Sequence, residues 1–247
     1  MHRFWVQSSI KQSAEITLDP SEARHACQVL RLHPGDPCEL LGNGERWKGE
    51  ILSLSPVEGC VRVLEPLPST EPQLRITLFQ GLPKGDKMEL IIQKAVELGA
   101  DSVVPVAMER CVSKLDSKDA IKKQERWQRI ATEACKQSGR CFLPKVYPLV
   151  SMRSLPELLK SYDASLVPWE EAKGYSLRSF AKEHAEVHSL AVVIGPEGGI
   201  SSEEIAVMKE ADALPVTLGP RILRTETAGI ATITALMCLY GEMEGMP

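Results

Sequence analysis

The sequence predicts an α/β protein, a mostly parallel sheet with helices on both faces, preceded by a small β-barrel domain. Two observations predict it. Up to about Pro66, short alternating or β-rich runs are punctuated by Gly, Pro and Asn, with one helical insert at Ser21 to Leu30. Beyond Pro72, apolar strand-like runs alternate with amphipathic helices. The change of pattern across "EPLPSTEPQ" divides the chain into residues 1–70 and 71–247. No internal repeat or low-complexity tract interrupts either part.

In the first part the strand runs are "HRFWVQ", "AEITL", "PCELLG", "WKGEILSLS" and "CVRVLEP". In the second, "LRITLFQ" leads to the helix "DKMELIIQKAVELG", then "DSVVPV" to "ERWQRIATEACKQSG", followed by "ASLVP", "LAVVIG", "LPVTLG" and the helix "TAGIATITALMCLY". Asp86 with Glu89 matches a capping box, and Leu90, Ile91, Lys94, Ala95 and Leu98 keep helical spacing as far as Gly99. In the next helix Trp127, Ile130, Ala131 and Ala134 form the apolar stripe, which leaves Lys122, Lys123, Arg126 and Arg129 largely on other faces.

A chain of 247 residues with 43% hydrophobic content is long enough for one or two cored domains. No apolar run approaches the roughly 20 residues of a membrane span, and no leader pattern occupies the first residues, so a soluble, unprocessed protein is expected. The seven cysteines are odd in number and free of Cys-x-x-Cys spacing, which favours a reducing cytoplasm. The net charge of −4 argues against a polyanionic partner, but its distribution does not. Arg110 to Lys145 holds ten Lys or Arg against four acids, a local +6 that leaves −10 elsewhere. This segment is either a phosphate-tracking face or a solvated helix surface.

"LAVVIGPEGGISSEEI" (190–205) follows a strand pattern and precedes a helix beginning near Ser201 or Ser202. Ligands in open α/β sheets sit beyond the carboxyl ends of strands, where glycines let backbone approach closely. The spacing fits neither phosphate-binding glycine fingerprint, and Glu197 would oppose a phosphate. An uncharged or cationic ligand fits better. "LPVTLGPRILRTETAGIATITALM" (214–237) repeats the construction, so the two loops form two walls of one pocket or are ordinary sheet-edge loops with Arg221 and Arg224 paired to acids.

These two loops resemble the last two ligand-loop motifs of the SPOUT methyltransferases, specifically the family that methylates N3 of a uridine in small-subunit ribosomal RNA. The resemblance extends through "HACQVLRLHPGD", "KGDKMELIIQKAVELG", "ERCVSK" and "RWQRIATEACKQSGR", and so covers nearly the whole chain. It implies a C-terminal trefoil knot, which topology rules alone argue against, and a PUA-like RNA-binding first domain. It also implies S-adenosylmethionine as cofactor, 16S ribosomal RNA in the small subunit as partner, and a homodimer in the cytoplasm. The cofactor site carried over comprises Val167 and Pro168, then Ile194, Gly195, Pro196, Glu197, Gly198 and Gly199, then Leu218, Gly219, Arg221, Ile222, Leu223 and Thr227. RNA contacts are expected from Arg31, Lys84, Lys87, Arg110, Lys122, Lys123, Arg126 and Arg140. No metal is implied.

Uracil N3 bears a proton and is a weak nucleophile until that proton leaves. A positioned base contributes about 10²- to 10⁴-fold, and a cation beside the uracil oxygens would stabilise the anion. Glu226 is the candidate base, or a helix cap near Thr225; Arg224 is the candidate stabiliser. Methylation at another RNA position such as a ribose 2′-oxygen, or RNA binding without turnover, remains an alternative. The apolar faces of the last helix (Ile230, Ile233, Leu236, Met237, Leu239) suit a partner helix. Trp5 and Trp47 stack on bases or pack in the core, and His184 and His188 are one helical turn apart but lack a third metal ligand.

Overall fold

The computed structural model describes residues 1–6, 10–113 and 115–244; Lys114, counted in the basic segment above, lies outside them. The chain forms two compact units. One comprises Met1–Glu71 with Cys135–Leu143, the other Pro72–Ala134 with Pro144–Pro247. The first unit thus takes in a segment that sequence order places far from it.

In the first unit five strands, β1 (His2–Trp5), β2 (Glu15–Leu18), β3 (Pro37–Gly42), β4 (Glu45–Leu54) and β5 (Gly59–Leu67), pair in the order β1-β3-β4-β5-β2. Only β1 with β3 is parallel. Register shifts between Trp47 and Gly49 and between Ile51 and Ser53 bend the long β4, as bulges do. The bend wraps the sheet around Phe4, Ile16, Leu18, Leu40, Ile51 and Val61. Trp47 packs against this core while its indole N–H donates to Glu45, so it is not a free stacking platform. The helical insert is α1 (Pro20–Arg24), which continues as one π-turn over His25–Val29.

Glu71 organises the returning segment. Its carboxylate accepts from the Arg140 guanidinium at 2.6 Å and from the backbone N–H groups of Cys141 and Phe142 at 2.6 and 3.0 Å. Arg140 is therefore only 5% exposed, and the expected RNA contact there is corrected to a structural ion pair. Glu39 is held in the same way. Burial alone would push its carboxyl up, but the Arg46 and Arg3 guanidiniums outweigh that and hold it below the usual carboxylate range.

The second unit is built on a parallel sheet of β6 (Arg75–Gly81), β7 (Ser102–Ala107), β8 (Lys145–Val146), β9 (Val150–Ser151), β10 (Ala164–Pro168), β11 (Ser189–Ile194) and β12 (Leu214–Val216). The order is β12-β10-β11-β6-β7-β8, with β9 also pairing β7, and every pairing is parallel. Such strands are buried on both faces, which is why they read as continuous apolar runs. The helices are α2 (Lys87–Glu97), α3 (Ser117–Ser138, whose residues from Cys135 on belong to the first unit), α4 (Leu155–Leu159), α5 (Leu177–Glu183), α6 (Ser202–Lys209) and α7 (Thr225–Leu239).

Two local expectations change. Asp86 caps α2 without a side-chain hydrogen bond: its backbone (φ −96°, ψ 10°) lies outside the β-region that aims a capping carboxylate, and Glu89 is taken by Arg126 at 2.7 Å. The capping box is at α6 instead, where Ser201 accepts from Glu204 N–H and Glu204 accepts from Ser201 N–H. The buried stripe of α2 is Met88, Ile91, Ile92, Ala95 and Val96, while Leu90 is 44% exposed and Lys94 pairs with Glu97.

In α7, Ile233, Leu236 and Met237 are spent inside the unit, so the apolar surface left on this helix is smaller than the sequence suggests. Gly229 lies within this helix, and a Cβ there would meet nothing closer than 3.6 Å. Gly229→Ala is expected to raise the stability of this unit by about 0.5–1 kcal/mol through helix propensity. A denaturation midpoint below the parent's would show that the site does not accept a methyl group.

Candidate active site

The loops that leave the carboxyl ends of β10, β11 and β12 enclose one cavity of about 820 Å³, within the ~300–1,000 Å³ usual for small-molecule sites. All three strands are parallel, so these ends share one edge of the sheet. The strand order turns there, running from β6 to β7 and β8 on one side and from β11 to β10 and β12 on the other. A crevice at such a switch point is the expected ligand position.

The β11 loop supplies Gly195, Pro196, Glu197, Gly199 and Ile200. It is tightly specified: a Cβ on Gly195 would lie 2.7 Å from the Ile200 side chain, and one on Gly198 would lie 2.8 Å from the Cβ of Arg110. Arg110 also donates to the Gly198 carbonyl at 3.2 Å, so this expected RNA contact buttresses the glycine loop. The β10 loop contributes Pro168, Trp169 and Glu170 on the facing side.

The β12 loop contributes Leu218, Gly219 and the run from Arg221 to Arg224. Ile222 is 84% exposed, leaving an apolar side chain in solvent beside the two arginines. Arg224 is the N-cap residue of α7 and makes no side-chain cap. The first turn of α7 is locked from below. Thr225 Oγ1 donates to the Gly195 carbonyl at 2.6 Å and accepts from Gln80 Nε2 at 2.9 Å, and Gln80 also donates to the Gly81 carbonyl. Gln80 is not foreseen at the site; its signal is an amide at the end of the apolar run of β6.

The charged residues of the wall are Lys87, Glu170, Lys173, Glu197, Arg221 and Arg224, and Lys87, the first residue of α2, sits between two carboxylates. Its ammonium lies 2.8 Å from Glu197 Oε1 and 3.3 Å from Glu226 Oε2. Glu197 also accepts from the Lys84 backbone N–H. The hydrogen bond that Lys87 donates to Glu197 raises the Lys87 pKa above the ordinary value despite some desolvation, and Glu226 adds to it. Burial alone would raise Glu197, but Lys87 and the backbone donors outweigh it and hold the carboxyl below the usual range. Glu226 stands beside the wall, behind Lys87. Its Oε2 is buried, and it is the acid in the first turn of α7.

Of the expected cofactor residues, three stand off the wall. Val167 is sealed within β10 at 1% exposure, Thr227 projects from α7 into solvent, and Gly198 packs against Arg110. Among the expected RNA contacts, Lys87 belongs to the cavity, and Arg126 is paired with Glu89. Lys123 sits 6.0 Å over the Trp127 ring. Arg31, Lys84 and Lys122 are exposed. His184 stacks on Phe180 with ring centroids 4.5 Å apart.

Residues 70–237 match the family model of the RNA methyltransferase domain, and residues 18–63 match that of the RNA methyltransferase PUA domain. The chain is 35% identical over 245 residues to ribosomal RNA small subunit methyltransferase E of Bacillus subtilis, covering 96% of each protein. It is 32% identical over 247 residues to the protein of that name from Mycobacterium tuberculosis, covering 98% of this chain and 93% of the relative. Among solved structures, ribosomal RNA small subunit methyltransferase E from Neisseria gonorrhoeae bound to S-adenosyl methionine superposes with a TM-score of 0.86 at 32% identity, covering 97% of this chain and 98% of the other.

Proposed function

The chain belongs to the ribosomal RNA small subunit methyltransferase E family, and from that premise we propose that it methylates N3 of a uridine in 16S ribosomal RNA of the small subunit. It is an S-adenosylmethionine-dependent RNA methyltransferase with an N-terminal PUA domain. The observation that supports the finer reading is that Arg224 and Lys87 both line the cavity, with Glu226 held just off the wall 3.3 Å from the Lys87 ammonium.

The cavity suits this cofactor on its own chemistry. Backbone of the Gly195–Gly199 loop borders the cavity, and its wall carries the carboxylates of Glu170 and Glu197 together with Lys87, Lys173, Arg221 and Arg224, so it offers partners to the cationic groups and to the carboxylate of this cofactor. When bound, the cofactor would supply an electrophilic methyl carbon with a sulfonium sulfur as leaving group. Glu226 takes the N3 proton, and the nitrogen lone pair so released forms the new bond to carbon. Arg224 reaches the uracil oxygens over which the negative charge spreads, stabilising the anion before transfer.

The assembly proposed with this reading is a homodimer, supported by the exposure left at Ile222 and Leu239 and by the half-exposed Ile230. A trefoil knot at the C-terminal end is supported by the position of β10 between β11 and β12. The cytoplasm is the proposed location, supported by seven unpaired cysteines; no helix among the described residues is long and apolar enough to cross a membrane.

Lys122 and Lys123 lie on α3, where phosphate contacts would position RNA without specifying sequence. Reversing both to glutamate is expected to flatten the dependence of RNA affinity on salt by about 0.7–0.9 log units for each phosphate no longer neutralised. Cofactor affinity should not move. An unchanged slope on both subunits and RNA fragments would make this a solvated helix face.

The reading itself is tested by incubating the protein with methyl-labelled S-adenosylmethionine and small subunits that lack the modification, then digesting the RNA to nucleosides. Label in 3-methyluridine from 16S RNA is expected. Label on a ribose oxygen would favour the alternative RNA target, and no label would favour a binding protein without turnover.

A further inference from the structure

We propose that Lys87 is a positioning residue for methyl transfer, coupling the glycine loop that lines the cavity to the carboxylate of Glu226. The inference rests on Glu226 as the base. Three elements meet at this ammonium: α2 supplies Lys87, the β11 loop supplies Glu197, and the first turn of α7 supplies Glu226. The two contacts are unequal. With Glu197 the lysine makes a hydrogen bond at 2.8 Å, and the Lys84 backbone N–H donates to both oxygens of the same carboxylate at 3.1 and 3.2 Å, so the lysine is pinned from the loop.

With Glu226 the separation is 3.3 Å, a longer and less well aligned contact to a buried Oε2. That combination serves a base. The neighbouring positive charge favours the ionised carboxylate, while the longer contact holds Glu226 less firmly than Glu197. A well-formed Lys87–Glu226 bond would compete with the proton to be abstracted, and no lysine would leave a buried carboxylate oxygen without any compensation. Glu197 therefore prevents the lysine from turning fully towards Glu226. Because Glu197 lies within the glycine loop, any change in that loop's conformation is passed to the base through one side chain.

The test is single-turnover methylation of unmodified small subunits at saturating cofactor, with S-adenosylmethionine affinity measured separately by calorimetry. Lys87→Met is expected to slow the single-turnover rate about 10- to 100-fold, part of what a positioned base contributes, with a loss of cofactor affinity well below the loss of rate. Lys87→Arg, which restores the charge, is expected to recover most of the rate. In a Glu226→Gln background, Lys87→Met should cost nothing more, because its effect passes through that carboxylate.

A parental rate for Lys87→Met, a loss of cofactor binding as large as the loss of rate, or rate losses that multiply in the double variant would overturn the proposal. Should Glu226→Gln keep the parental rate, the base reading fails. Should Glu226→Gln be inactive while Lys87→Met is not, only the role of Lys87 fails.

Discussion

Gly199→Val is expected to abolish S-adenosylmethionine binding while the first unit stays folded. Gly199 has φ +74°, in the left-handed region where a β-branched residue is an outlier, and its N–H closes a turn onto the Pro196 carbonyl at 3.0 Å. Even an ordinary side chain costs roughly 1–2 kcal/mol there. The loop has little room to relieve it, because Gly195 is packed on Ile200, Gly198 is packed on Arg110, and Ser201 two residues on is fixed by the capping box. A valine Cβ would also come 3.4 Å from Glu170 Oε1 on the facing loop. Strain that cannot be absorbed locally displaces the β11 wall of the cavity. No heat of cofactor binding should be seen by calorimetry, and the first unit, which shares no residue with the loop, should keep its denaturation midpoint. An unaltered Kd would show that the β11 loop does not line the cofactor site.

What the sequence revealed and what it hid divide along physical lines. The strands were legible because burial on both faces demands continuous apolar runs, and the two glycine loops because tight backbone approach restricts residue type. Capping at α2 was misread because Asp86 and Glu89 have the right spacing, yet the backbone at Asp86 and the guanidinium of Arg126 decide where those carboxylates go. Arg140 looked like one more cation in a basic run. Its partner, Glu71, lies 69 residues earlier, and no local pattern announces that pairing. Lys87 is the same lesson at the site: periodicity places it at the start of α2, but only the return of β11 and α7 to one edge of the sheet puts two carboxylates around its ammonium. The short strands β8 and β9 and the helices α4 and α5 carry too few residues for a periodic signal, and they escaped for that reason.

The second large effect is expected at Glu226. It stands in the first turn of α7, a helix start fixed by the Gln80–Thr225–Gly195 hydrogen bonds, so removing its charge should leave the cavity in place. Glutamine keeps the shape and loses the ability to take a proton. If N3 must lose its proton to this group before the carbon bond forms, the loss falls on the transfer step and not on cofactor affinity. The decisive measurement is single-turnover methylation of unmodified small subunits by the parent and by Glu226→Gln at saturating cofactor, with the product nucleoside identified. The account predicts 3-methyluridine from the parent, a rate lower by about 10²- to 10⁴-fold for the variant, and the same S-adenosylmethionine Kd for both. A variant that forms 3-methyluridine at the parental rate across pH would contradict it.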